Sequence, residues 1–129
     1  MARNTVLVID DDPDFREAVS LVLDDMGVRV LGAPDCETGL ALLEREREKV
    51  RLVLLDYWMP GMTPVACTGA LKACADGDID IILVTAAASP AKYAAELGLG
   101  RYLKKPFAIE QLRGVVARSL GSASNECSR

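Results

Sequence analysis

Five short apolar runs, each followed by a stretch with helical spacing, set the main limit on what this chain can fold into. The runs lie at residues 6–9, 28–31, 52–55, 79–84 (interrupted by Asp80) and, more weakly, 102–103. Most are continuous rather than alternating. A strand reads that way when both of its faces are covered, as in a parallel sheet with helices on either side. Between the runs, Phe15, Ala18, Val19, Val22, Leu23 and Met26 form one helical stripe, which Gly27 ends. A second helix is expected over about residues 35–48, with Leu40 and Leu43 inward and the ERERE segment on a solvated face. Thr63-Pro64 and Ser89-Pro90 are start signals for a third helix reaching about Ala75 and a fourth ending near Gly98. A fifth is expected from Ala108 to Leu120. Strand and helix therefore alternate, which predicts an α/β domain with a parallel sheet and right-handed crossovers.

Bulk properties narrow the functions open to such a domain. A length of 129 residues suits a single core. The net charge of −4, with no basic stripe, argues against direct nucleic-acid contact. No apolar run has the length of a membrane span, and the start MARN is not a signal peptide. The chain has no histidine, which removes His-based acid–base catalysis and every Ser-His or Cys-His triad. Cys36, Cys67, Cys74 and Cys127 show no CxxC spacing, so zinc is not expected and reduced cytosolic thiols are the simpler reading.

Chemistry gathers where the strands end. In open parallel sheets, ligands bind outside the carboxyl ends of the strands. Here the first run ends in Asp10, Asp11 and Asp12, the third in Asp56, the fourth in Thr85, and the fifth in Lys104, Lys105 and Pro106. Carboxylates crowded at a partly dry strand end repel one another, so a proton or cation is expected among them. Carboxylates sharing Mg²⁺, a hydroxyl and a lysine make a kit for holding a phosphoryl group. Asp56 is then the candidate nucleophile, because a carboxylate can accept a phosphoryl group covalently.

At these residues the chain resembles the receiver domain of two-component response regulators. The resemblance is carried by VIDDDPDFR, LLDYWMPGM, VTAAA and YLKKPF, in the right order at successive strand ends, and it covers residues 4–120. It implies a doubly wound, flavodoxin-like (CheY-like) fold of five βα units with strand order 2-1-3-4-5. A receiver domain would occupy residues 1–120, with 121–129 a flexible tail or the start of a linker. It further implies that Asp10 and Asp11 are the acidic pair, Asp11 the closer metal ligand, and that Asp12 caps the first helix. Asp56 would be the phosphoacceptor, and the Trp58 backbone carbonyl a further Mg²⁺ ligand. Thr85 would be the switch hydroxyl, Tyr102 the aromatic that follows it, and Lys105 the lysine that meets the phosphoryl group. Ala86 leaves room for that group. Trp58 and Ala87 stand where the family tunes dephosphorylation, and neither side chain can orient an attacking water. The implied protein is a cytoplasmic switch rather than an enzyme, although it would assist its own phosphorylation and dephosphorylation. Its partners would be a sensor histidine kinase or phosphotransfer protein, and a homodimer would use the face of the fourth helix, fifth strand and fifth helix.

Three rivals fit less well. A phosphatase of the haloacid dehalogenase type needs Thr or Val where Asp14 stands, and a substrate-covering cap. A flavodoxin-like FMN protein needs a Ser/Thr/Gly phosphate loop where the aspartates stand. A receiver fold serving only as an unphosphorylated interaction module leaves the set Asp11, Asp56, Thr85 and Lys105 without a use. Thr63 and Pro64 depart from the usual family pattern after the PxM segment.

Overall fold

The computed structural model of the chain describes residues 4–127, with side-chain surroundings through Gly121. Strands β1 (Thr5–Ile9), β2 (Arg29–Ala33), β3 (Val50–Asp56), β4 (Asp80–Thr85) and β5 (Tyr102–Lys104) alternate with helices α1 (Pro13–Asp24), α2 (Cys36–Glu46), α3 (Pro64–Ala75), α4 (Pro90–Glu96) and α5 (Ile109–Cys127). All pairings are parallel, in the order β2-β1-β3-β4-β5, as the resemblance implied. The chain steps from β1 outward to β2 and then back across β1 to β3. A crevice therefore opens between the carboxyl ends of β1 and β3, where ligands of such sheets bind.

Burial explains the continuous apolar runs. Val6, Leu7, Val8 and Ile9 of β1 are all fully buried, so both faces of that strand are core. Val6, Val8, Leu52, Leu54, Ile82 and Val84 pack under α1 and α5, against Val19, Leu23, Leu112 and Val116. Leu7, Ile9, Val53 and Leu55 face the other way, towards Leu43 of α2 and Leu71 of α3. Leu83 continues that second layer beneath Ala94 of α4. Where α2 crosses β1 the approach is close enough to require glycine. A Cβ on Gly39 would stand 2.5 Å from the Ile9 Cδ1 atom.

The caps expected at Asp12 and Thr63 form, accepting from the N–H groups of Asp14 and Ala66 at the starts of α1 and α3. Asp35 does the same for α2 by accepting from the Thr38 N–H. Gly27 takes a φ of +73° after α1, a conformation that favours glycine. Ser89 differs: it precedes α4 but makes no side-chain cap bond. Helix α5 runs past Leu120 to Cys127, into the segment expected to be a flexible tail or the start of a linker.

The cysteines correct the sequence expectation. Cys36 and Cys67 form a disulfide, with Cα atoms 6.0 Å apart, while Cys74 is a free thiol. A separation of 31 residues hid the pairing, because only the fold places α2 beside α3 on one face of the sheet. Both bridging residues are buried, which keeps the bond away from soluble reductants.

Candidate functional site

Strand β1 delivers Asp10 to the rim, and β3 delivers Asp56. One carboxylate oxygen from each of Asp10, Asp11 and Asp56 can be drawn so that all lie within 4.8 Å of one another. Asp10 is buried, Asp56 is 8 % exposed and Asp11 faces solvent. Asp12, the third acidic residue of the run, is spent on capping α1 and stands outside the group.

Asp10 is the most heavily engaged. Its Oδ1 accepts the Asp12 N–H at 3.0 Å, and its Oδ2 accepts from the Lys105 Nζ at 2.7 Å. The same ammonium lies 3.8 Å from Asp56 Oδ1, so it leans towards Asp10 and leaves Asp56 poorly compensated. Lys105 is held from two further directions. Its backbone N–H donates to the Thr85 carbonyl at 2.8 Å, and its Nζ sits 4.1 Å above the Phe15 ring. Phe15 in turn meets Phe107 edge-on at 5.9 Å. Ala86 lines the small apolar cleft beside Lys105, Pro106 and Phe107.

The electrostatic consequence falls on Asp56. Burial pushes its pKa up to about 6, and the neighbouring Asp10 and Asp11 charges push the same way. Lys105 and, more weakly, the Trp58 backbone amide oppose the rise without cancelling it. A site that makes ionisation of Asp56 this unfavourable fits a cation. Its donors are all hard carboxylate oxygens, one member is open to solvent, and Mg²⁺ suits such a set while keeping some of its own water.

Thr85 ends β4 with its side chain fully buried, and its Oγ1 accepts the Ala87 N–H at 3.1 Å. That bond orients the oxygen and leaves the hydroxyl proton to be donated elsewhere. Thr85 pairs with Lys104, and Tyr102 with Leu83, so Thr85 and Tyr102 share one face of neighbouring strands. Tyr102 is 44 % exposed and turned outward. The Trp58 indole is also exposed, and it rests against Tyr57 and Tyr93.

Two participants escaped the sequence reading. Arg16 donates to the Asp10 backbone carbonyl at 2.6 Å, bracing the strand end from α1. Gly32 of β2 gives it room, since a Cβ there would approach the Arg16 Cδ to 3.2 Å. Tyr93 of α4 is the other, and no local pattern marks a helix tyrosine as a neighbour of the residues after Asp56.

Comparison with known proteins places this geometry. The family model for the response regulator receiver domain matches residues 6–117. An uncharacterized 14.6 kDa protein of Leptolyngbya boryana is 37 % identical over 109 residues, covering 82 % of each chain. The transcriptional regulatory protein CpxR of Klebsiella pneumoniae is 33 % identical over 122 residues, which are 90 % of this chain and 50 % of CpxR. The chain thus spans about half the length of several regulators that it matches. Among solved structures, the chemotaxis protein CheY4 of Vibrio cholerae superposes with a TM-score of 0.80 at 30 % identity, over 92 % of this chain and 100 % of CheY4.

Proposed function

Because the chain belongs to the response regulator receiver family, we propose that it is a switch set by transfer of a phosphoryl group onto Asp56. The observation that carries this reading is the under-compensated Asp56 carboxylate, 8 % exposed at the sheet crevice beside Asp10 and Asp11 with the Lys105 ammonium 3.8 Å away. The donor is the phosphohistidine of a sensor kinase or phosphotransfer protein. An Asp56 oxygen forms the new P–O bond as the P–N bond to the donor imidazole breaks. The electron pair of that bond leaves with the imidazole nitrogen, which takes up a proton.

Asp10, Asp11, Asp56 and the Trp58 carbonyl would hold Mg²⁺. When bound, that ion supplies positive charge against the phosphoryl oxygens. Lys105, steadied by Asp10 and the Phe15 ring, meets another phosphoryl oxygen. Thr85 donates its free proton to a third and so changes its place on the face shared with Tyr102. The output is a population shift in the α4–β5–α5 face, which serves either an output domain or a homodimer. Receiver domains are signalling domains, and the help this one gives to its own phosphorylation and dephosphorylation does not make it a conventional enzyme. No helix among the described residues is long and apolar enough to cross a membrane; a cytoplasmic location follows from the receiver-family reading. The acidic balance favours protein partners over direct nucleic-acid contact.

The test is to incubate the protein with Mg²⁺ and a small acyl-phosphate donor and to locate the label by mass spectrometry. Label at Asp56, abolished in a folded Asp56→Asn variant, is the expected result. Label at Asp10, Asp11 or a hydroxyl instead would overturn the assignment.

A further inference from the structure

Tyr57 and Trp58 follow Asp56 directly, and both place their rings against α4. The Tyr57 and Tyr93 ring centroids are 4.6 Å apart, Tyr57 and Trp58 are 4.7 Å apart, and Trp58 and Tyr93 are 5.9 Å apart. The three rings form one cluster. Tyr57 also donates its hydroxyl to Glu96 Oε1 at 2.7 Å, at the last residue of α4, and this bond pushes the phenol pKa up to about 12. At the other end of the same short segment, Tyr57 follows directly on Asp56, the last residue of β3. A short path of backbone and ring contacts therefore runs from the phosphoacceptor candidate to a helix of the switch face.

Helix α4 is otherwise lightly held. It has seven residues, its N-terminal end has no side-chain cap, and Ala94 is its one buried residue. Lys72 of α3 secures the far end by donating to the Leu97 and Gly98 carbonyls, both at 3.0 Å. Between these two ends the aromatic rings are the connection to the loop after β3. A weakly attached element tied to a charged site is the kind that changes population when the site is loaded.

We propose that the Tyr57–Trp58–Tyr93 cluster couples the Asp56 site to α4, with Tyr93 as the positioning residue on the helix. The idea rests on the phosphoacceptor reading above and adds the route by which loading is reported. Loading the site adds charge and bulk at Asp56, the residue from which the Tyr57-Trp58 segment leaves the sheet. The peptide shifts, the indole shifts with it, and Tyr93 carries the movement into α4. Reciprocity requires that a partner bound to α4 alter the affinity of the acidic cluster by the same factor.

The chain contains one tryptophan, so emission from Trp58 reports on the cluster directly. The experiment compares wild type with Tyr93→Ala and Tyr93→Phe, measuring emission and amide hydrogen exchange in α4 without metal, with Mg²⁺ alone, and with Mg²⁺ plus an acyl-phosphate donor. In metal-free protein, Tyr93→Ala should shift emission to the red and speed exchange in α4 by about tenfold, equal to about 1.4 kcal/mol of local opening. It should bind Mg²⁺ as wild type does, yet lose the response of α4 to Mg²⁺ and to the donor. Tyr93→Phe keeps the ring and should behave as wild type. Coupling is overturned if α4 in Tyr93→Ala still responds fully, if Tyr93→Phe loses as much as Tyr93→Ala, or if wild-type α4 ignores both ligands. A wild-type protein whose α4 answers Mg²⁺ but whose Asp56 never takes label would sink the phosphoacceptor reading and uphold the coupling.

Discussion

The two ends of the sheet handle charge in opposite ways. At the amino end, Arg101 is surrounded by acceptors: Asp80 at 3.3 Å, the Ser119 hydroxyl at 3.0 Å and the Val115 carbonyl at 3.3 Å. Arg51 beside it donates to the Ser119 and Asp78 carbonyls. At the carboxyl end, the carboxylates of Asp10, Asp11 and Asp56 share one ammonium, and that ammonium prefers Asp10. The first end spends its polar groups on joining α5 to the strands. The second leaves ionisation unfavourable at Asp56, which is a poor way to hold a fold together and a good way to hold a ligand.

The largest effect should come from breaking the satisfied end. Arg101→Ala leaves the fully buried Ser119 hydroxyl without its guanidinium donor and Asp80 without its partner. Stability should fall by about 2–3 kcal/mol, measured by urea denaturation. Labelling at Asp56 in the folded fraction should be unchanged, whereas a loss of labelling would show that the two ends are not independent.

A smaller effect of opposite sign is expected at the other end. The Asp56 pKa is raised from 3.8 to about 6 in the folded protein, so between those values the native state binds more protons than the unfolded chain. Stability of metal-free protein should be highest, in this respect, below pH 3.8 and should decline as pH rises through 6. Asp56→Asn removes that decline. Its melting temperature should exceed wild type by a few degrees at neutral pH, with the gain gone at pH 3.8, as scanning calorimetry can record. A neutral-pH loss of stability would mean that the carboxylate is compensated after all.

The smallest effect sharpens the contrast. If Asp11, Asp56 and Asp10 share a cation, Mg²⁺ at ten times its dissociation constant should stabilise wild type by about 1.4 kcal/mol. Asp11→Asn should lose most of this gain, and the test is a thermal melt across a Mg²⁺ series. An equal Mg²⁺ response in Asp11→Asn would place the ion elsewhere, and Arg101→Ala at the satisfied end supplies the control, since it should keep the response.

How much of this was readable in advance depended on whether the cause was local. The strands showed because burial on both faces leaves an uninterrupted apolar run, as in Val6 to Ile9. Asp12 and Thr63 showed because a cap bonds a backbone N–H two or three residues away. Asp10, Asp11, Asp56, Thr85 and Lys105 showed because a parallel sheet sends every strand end to one rim. What stayed hidden was set by packing between distant segments. The Cys36–Cys67 bridge, the Arg51 and Arg101 contacts with α5, the Arg16 brace and the Tyr93 stack each join residues whose nearness exists only once the helices are laid on the sheet. The preference of Lys105 for Asp10 over Asp56 was equally invisible, since it turns on about an ångström of placement.

Gly39 bears on how variation in this chain should be interpreted. It takes no part in the chemistry, yet a methyl group at that position would drive into Ile9, the residue immediately before Asp10. In a saturation screen scored by signalling output, position 39 should tolerate few residues, as position 56 should, for a reason that is wholly steric. Alanine at 39 and asparagine at 56 would look alike on such a map. The abundance of the folded protein would tell them apart, because a clash lowers the amount of protein and a missing nucleophile does not. Intolerance to substitution thus marks where the molecule has no slack, and that class includes an absent methyl as readily as a reactive carboxylate.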